Sequence, residues 1–213
     1  MKYKMVIFDL DGTILNTLKD LQEACNYALK KYKLSPITLE QTKSYIGNGI
    51  RNLLISASHN NEHIDDILLD FKEYYSKHYN DFTTRYEGID TVFGYCKEKN
   101  ILIGVLTNKV EDIARKIVEE HFPNQMEFIF GEVLGRPRKP DAFFLLSIIE
   151  KYGYKKEEVL YVGDSEVDVK TSLNANIDGV FVAYGFRSRE VLSLLTTRIV
   201  DTPLELLKYI GEM

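Results

Sequence analysis

The chain has 213 residues, of which 45% are hydrophobic and 28% charged, and its formal net charge is −5. That length holds one sizeable core, or a core with a smaller companion, and the acidic balance argues against the broad basic face that sequence-independent nucleic-acid binding needs. The two cysteines, Cys25 and Cys96, sit in partly apolar, helix-like runs and make no disulfide framework, and no apolar run reaches membrane-spanning length. These features lead us to expect a cytoplasmic protein with neither a membrane nor a nucleic acid as partner.

Met5–Phe8 is a continuous apolar run, the pattern of a strand covered on both faces. It ends in Asp9-Leu-Asp-Gly-Thr13, two carboxylates one residue apart. From about Thr17 to Phe82 the periodicity is helical throughout. Leu18, Leu21, Cys25, Ala28, Leu29 and Tyr32 share one face, and Thr38-Leu-Glu-Gln41 is a capping box that opens a second helix. Tyr45-Ile-Gly-Asn-Gly-Ile50 interrupts before a third helix. Ile64, Ile67, Leu68, Phe71, Tyr75 and His78 mark a fourth.

Beyond that point strands alternate with helices. Ile101–Leu106 reads as a buried strand ending at Thr107, Phe128–Phe130 as a shorter one, Val159–Val162 as one ending at Gly163-Asp164, and Gly179–Val182 as another. Arg198–Val200 reads as an edge strand. Helical runs cover Asp112–His121, Ala142–Tyr152 and Val167–Leu173. Alternation of this kind predicts an α/β fold: a Rossmann-like parallel sheet with helices on both faces, built from 1–15 and 84–213. An all-helical cap domain, 16–83, interrupts it just after the first strand.

Ligands of open α/β sheets bind at the carboxyl ends of the strands. Those ends carry Asp9, Asp11, Gly12 and Thr13; Thr107 and Asn108; Asp164, Ser165 and Asp168; and Lys139 sits just before a helix. Asp9, Asp164 and Asp168 form an oxygen-rich anionic cluster suited to a hard divalent cation such as Mg²⁺. Thr107, Lys139 and the backbone N–H groups of the Asp11-Gly12 turn can hold a phosphoryl group. One aspartate acting as nucleophile beside a second acting as acid and base is the pattern of phosphoryl transfer through an aspartyl-phosphate.

These motifs resemble those of the haloacid dehalogenase-like phosphohydrolases. Asp9-Leu-Asp-Gly-Thr13, Val105-Leu-Thr-Asn108, Lys139-Pro140 and Gly163-Asp-Ser-Glu-Val-Asp168 look like the family's four motifs in the family's order. The resemblance implies Asp9 as nucleophile, Asp11 as general acid and base, Thr107 as a phosphoryl contact and Lys139 as the neutralising cation. It also implies Mg²⁺ held by Asp9, the Asp11 carbonyl and Asp164, with Asp168 close by as a ligand or in support. The family's dehalogenases lack the second aspartate; its presence as Asp11 favours ester hydrolysis. Asn176 stands where the family usually ends a helix with glycine, and Ala142 where a proline is usual. Asparagine tolerates the left-handed cap conformation.

The insertion resembles the helical cap of the phosphoglycolate phosphatase and β-phosphoglucomutase branch, and Tyr45–Arg51 resembles its specificity loop. Gly47, Asn48 and Arg51 are therefore expected at the substrate, with Gly12 and Asn108; the rival reading is a simple turn with a solvated arginine. Arg187, after the last core strand, reads as a surface-loop arginine rather than a cap or substrate contact. His59-Asn-Asn-Glu-His63 spells a zinc motif, but its flanks read as a loop between helices. The expected function is Mg²⁺-dependent hydrolysis of a small phosphorylated metabolite, similar to phosphoglycolate phosphatase. A phosphomutase would use the same two aspartates, and a phospho-accepting receiver domain a similar set on a shorter chain.

Overall fold

A strand that is apolar at every position has to be covered on both sides, and β1 (Met5–Phe8) is: its four side chains are fully buried. The computed structural model describes residues 2–47, 49–59 and 62–211. In chain order these form β1, β2 (Leu15–Asn16), α1 (Leu18–Lys31), α2 (Leu39–Tyr45), α3 (Ile50–Ala57), α4 (Ile64–Tyr75), β3 (Thr84–Arg85), α5 (Ile89–Glu98), β4 (Leu102–Val110) and α6 (Glu111–His121). They continue with β5 (Phe128–Glu132), α7 (Phe143–Tyr152), β6 (Val159–Gly163), α8 (Glu166–Ala175), β7 (Asp178–Val182), α9 (Arg189–Ser193), β8 (Ile199–Val200) and α10 (Leu207–Ile210). The chain divides into two compact units, 1–15 with 85–213, and 16–84.

The first unit holds a six-stranded parallel sheet in the order β5-β4-β1-β6-β7-β8. On one face Met5, Ile7, Val159 and Tyr161 pack with Leu145, Ile148 and Ile149 of α7 and Ala175 of α8. On the other, Phe8 meets Phe93 of α5 edge-on at 5.3 Å, and Phe93 meets Phe122 at the end of α6. Each such buried side chain contributes roughly 1.5–3 kcal/mol. The α/β core with helices on both faces is therefore as expected.

The order of strands places the functional loops. Chain connections from β1 run toward β4 and β5, whereas those from β6 run toward β7 and β8, so the topology switches between β1 and β6. A crevice opens at such a point, at the carboxyl ends of the strands. Phe8 is level with Val105 of β4 and Val162 of β6, so Asp9, the next residue, emerges beside the end of β6, and its N–H donates to the Val162 carbonyl at 2.8 Å.

Several boundaries differ from the expected ones. β4 does not stop at Leu106 but reaches Val110, with a register irregularity between Leu106 and Val110 where it leaves β5. The polar Thr107-Asn-Lys109 segment is stabilised there by side-chain hydrogen bonds, which no hydrophobic pattern reveals. The amphipathic α5, with Ile89, Val92, Phe93 and Cys96 buried, is among the expected elements only as the helix-like run about Cys96. β2, β3, α9 and α10 are too short for a periodic pattern to mark, and α4 ends at Tyr75 rather than reaching His78. Asn176 adopts the left-handed conformation that ends α8, as its residue type allows.

In the second unit, α1 to α4 bury Leu21, Cys25, Ala28, Leu29, Leu53, Leu54, Ile67 and Phe71. Thr38 and Gln41 form the expected capping box of α2, each side chain bonding the other's backbone N–H. Asp20, 1% exposed, accepts from the Phe82 N–H at 3.0 Å and the Thr83 hydroxyl at 2.6 Å, tying the exit of the unit to its first helix. Both cysteines are buried and free. The α3–α4 connection separates His59 from His63; its Asn60 and Asn61 lie outside the described residues.

Candidate active site

Lys139 is the centre of the cluster at the switch point. Its Nζ lies 2.9 Å from Asp9 Oδ1, 2.7 Å from Asp168 Oδ1 and 3.0 Å from the Tyr161 hydroxyl. Burial works against its charge, but the two carboxylates outweigh that and push its pKa up, so it remains an ammonium. Its backbone is fixed by Asn108, whose side-chain oxygen accepts from the Lys139 N–H at 2.9 Å and whose amide donates to the Lys139 carbonyl at 3.0 Å. The Asn108 side chain, expected at the substrate, is thus engaged in holding the lysine loop. Thr107, Asn108 and Lys139 line one small cavity, and the Thr107 hydroxyl accepts from the Lys109 N–H at 3.2 Å.

Asp168 is wholly buried and its carboxylate is saturated. Oδ1 accepts from Lys139 and, at 2.9 Å, from the Tyr161 hydroxyl. Oδ2 accepts from the Ser165 hydroxyl at 2.6 Å and from the N–H groups of Ser165 and Asp164 at 3.0 and 3.2 Å. Burial alone would raise its carboxyl pKa; Lys139, Ser165 and Tyr161 together hold it below the usual value. Ser165 is also the N-cap of α8, so the loop between β6 and α8 folds around this one side chain.

Asp9 and Asp164 behave in the opposite way. Burial pushes the Asp9 carboxyl up to about 7, against the pull of Lys139 and with the added repulsion of Asp168 and Asp11. Burial, then the charges of Asp168 and Asp9, raise Asp164 well above the ordinary range. One oxygen of each of Asp9, Asp164 and Asp168 lies within 4.8 Å of the others. Asp9 Oδ1, though close to Lys139, has no aligned hydrogen bond among the described residues. A concentration of negative charge that leaves carboxylate oxygens unsatisfied suits a hard divalent cation. Asp9 and Asp164 have the spare acceptors for it, whereas Asp168 has spent both oxygens.

Asp11 points its Oδ1 at Lys109 Nζ, 2.9 Å away, and that lysine side chain is almost fully buried. Gly12 has φ +84°, and a Cβ there would lie 2.2 Å from Asp164 Oδ2, so only glycine lets the first loop press against this carboxylate. The segment 184–187 closes the other side. The Phe186 N–H donates to Asp164 Oδ2 at 2.6 Å, and the Tyr184 hydroxyl donates to the Thr13 carbonyl at 3.0 Å. Arg187 forks onto Glu166, Nε to Oε2 at 2.8 Å and Nη2 to Oε1 at 3.2 Å. Arg187 is therefore a largely buried ion-pair partner, not a solvated loop residue, because its planar group matches a carboxylate at the start of α8.

Asp9, Asp11, Gly12, Thr107, Asn108, Lys139, Asp164 and Asp168 thus come together in the first unit. Gly47 and Arg51 belong to the second, where Gly47 has φ +125° and Arg51 pairs with the exposed Asp65 on α4. Asn48 lies outside the described residues. Sequence reading missed Lys109, Tyr161, Glu166 and the Phe186 N–H. For Tyr161 there was a signal: a phenol inside an all-apolar strand needs a buried partner.

Carboxylates, a buried ammonium and open backbone turns at the carboxyl edge of a parallel sheet define an α/β enzyme built to work on an anionic group. Comparison with known proteins narrows the class. Residues 6–182 match the haloacid dehalogenase-like hydrolase family. The phosphoglycolate phosphatase of Chromobacterium violaceum is 30% identical over 214 residues, covering 96% of this chain and 96% of that one. That of Rhodospirillum rubrum is 31% identical over 211 residues, covering 93% and 87%. A crystal structure from Lactobacillus delbrueckii subsp. bulgaricus, provisionally named a phosphoglycolate phosphatase, superposes with a TM-score of 0.91 at 31% identity, covering 99% of each chain. The chain belongs to the haloacid dehalogenase-like hydrolases, in their phosphoglycolate phosphatase-like branch. The receiver-domain reading is thereby set aside. Among the described residues no helix is long and apolar enough to cross a membrane.

Proposed function

We propose that this protein hydrolyses a small phosphate monoester, of the kind phosphoglycolate phosphatases act on, through an aspartyl-phosphate on Asp9. The observation that carries the reading is the pairing of Asp9 with Lys139 beside a second, separately held carboxylate, Asp11. Asp9 attacks phosphorus; the bond to the ester oxygen breaks, and Asp11 gives that oxygen its proton. Asp11 then takes a proton from water, which attacks the same phosphorus and releases phosphate and free Asp9. Acid–base help of this kind is worth about 10²–10⁴-fold. Lys139 offsets charge on the phosphoryl oxygens, with Thr107 and the Asp11-Gly12 backbone as further donors.

Mg²⁺ fits the donor set, held by the Asp9 and Asp164 carboxylates and the Asp11 carbonyl, with Asp168 in support; when bound it supplies positive charge that polarises the phosphoryl group. Residues 16–83 are assigned the role of a cap, and substrate choice is assigned to Gly47, Asn48 and Arg51, on the resemblance of that turn alone. The test is a Mg²⁺-dependent phosphate-release screen over 2-phosphoglycolate, sugar phosphates, nucleotides and pyrophosphate, with Asp9→Asn as control. Loss of release with a native circular dichroism spectrum is expected; undiminished turnover in Asp9→Asn overturns the mechanism. Isomerised sugar phosphate without free phosphate would select the phosphomutase.

A further inference from the structure

Three polar groups meet Lys139 Nζ, and one of them, Tyr161, belongs to none of the four sequence motifs. It sits in the middle of β6, level with Ile7 of β1 and Gly179 of β7, and its ring packs in the apolar layer under α7. Its side chain has no exposure to solvent. The hydroxyl serves both neighbours at once: it accepts from Lys139 Nζ at 3.0 Å and donates to Asp168 Oδ1 at 2.9 Å, while Lys139 itself donates to that same oxygen at 2.7 Å. Lys139, Tyr161 and Asp168 therefore form a closed triangle. Burial and the nearby carboxylates keep the phenol protonated, so the direction of its own hydrogen bond is fixed toward Asp168.

We infer that Tyr161 is a positioning residue that aims the Lys139 ammonium at Asp9 and at the phosphoryl group Asp9 would carry. The reasoning is one of placement. A lysine ammonium is a compact charge with three donors on a flexible four-carbon stem, so each fixed acceptor narrows where Nζ can rest. Asp168 holds one N–H. Tyr161 holds a second from a ring that cannot move, being packed among Ile148, Val159 and Leu145. Asp9 Oδ1 lies 2.9 Å from the Nζ so placed, an ion pair that is not aligned as a hydrogen bond in this structure. A strand residue supplies this constraint better than a loop residue would, because sheet pairing on both sides fixes its backbone. Phenylalanine in its place would fill the same space, satisfy the core and leave the ammonium placed by its two carboxylates alone.

This inference rests on Lys139 acting on a bound phosphoryl group, and the test uses inorganic phosphate and a spectroscopic probe so that neither depends on the natural substrate. In a ¹H–¹⁵N spectrum of lysine ammonium groups, a held, buried Lys139 gives a slowly exchanging cross-peak, assigned by its loss in Lys139→Arg. Tyr161→Phe is expected to broaden or shift that peak while the melting temperature stays near wild type. Titration of inorganic phosphate in the presence of Mg²⁺ is expected to show about tenfold weaker binding in Tyr161→Phe, the low end for a hydrogen bond to a charged group. The same change made in a Lys139→Met background is expected to have no further effect. An unchanged cross-peak with unchanged phosphate affinity overturns the inference, as does an equal loss of affinity in both backgrounds, which would mark a purely structural tyrosine. Failure of the phosphatase reading would instead appear as no phosphate release by the wild type from any ester in the screen, whatever the Lys139 signal does in Tyr161→Phe.

Discussion

Replacing Asp168 by alanine is the change that strips most from the site, and its cost can be worked from the contacts. The wild-type carboxylate receives five hydrogen bonds: from Lys139, Tyr161, the Ser165 hydroxyl, and the Ser165 and Asp164 N–H groups. Alanine leaves a buried ammonium with half of its counter-charge and removes the Asp168 half of the capping box that opens α8. Removing one partner of a buried ion pair costs about 3–5 kcal/mol, and for a chain of this size each kcal/mol moves the melting temperature by about 2–4 °C. A fall of roughly 6–20 °C at neutral pH is expected by scanning calorimetry; Asp168→Asn, which keeps one acceptor oxygen, should lose less. The sign with pH follows from the depressed carboxyl pKa. Its stabilisation is present above the unfolded value of 3.8 and is lost as pH falls through the lower folded value. The gap between wild type and Asp168→Asn should therefore close as the solution is acidified below about pH 4. An Asp168→Ala melting temperature within ~2 °C of wild type would refute the reasoning.

Other expectations concern the rest of the site and the helical unit. In chelator, wild-type stability relative to Asp9→Asn should decline as pH rises from 5 to 8, because a carboxyl raised from 3.8 to about 7 favours the fold only while protonated; denaturant midpoints at several pH values measure it, and parallel curves would contradict it. Mg²⁺ at about 100 times its Kd should add about 2.7 kcal/mol to wild type, and most of that gain should vanish in Asp164→Asn; no thermal shift in wild type would count against the metal site. Arg187→Met should cost about 1–2 kcal/mol, discounted because Glu166 is partly exposed, and the loss should shrink at high salt. Asp20→Ala should cost about 1–3 kcal/mol and raise amide exchange at Phe82, whose N–H it now satisfies along with the Thr83 hydroxyl.

How much of this the sequence disclosed depends on the kind of interaction. Asp9 and Asp164 were legible because charged residues at the end of apolar strands have few structural reasons to be there, and Asp168 because it follows Asp164 by four residues. The parallel sheet was legible because β1 and β6 are apolar at every position. Lys109 is hidden because the apolar pattern of its strand ends before it, and its pairing with Asp11 spans 98 residues of sequence. The Asn108 clamp depends on where the Lys139 loop comes to rest, which no spacing rule gives. The Phe186 bond to Asp164 is made by a backbone N–H, a group every residue but proline carries, so residue type gives no sign of it. Arg187 and Glu166 lie 21 residues apart on different elements, and only the folded chain brings them together.

The central position of β1 also has a temporal side. Its partners in the sheet begin at Leu102 and Val159, with the whole of 16–84 made in between. At ~5–20 residues per second on the ribosome, β1 waits roughly 5–20 s for β4 and longer for β6. All four helices of the second unit are available for packing before that. During synthesis the chain is thus a helical unit trailing behind an apolar strand, Met5–Phe8, still without sheet partners, and Asp9 reaches its place beside β6 only after that strand has joined.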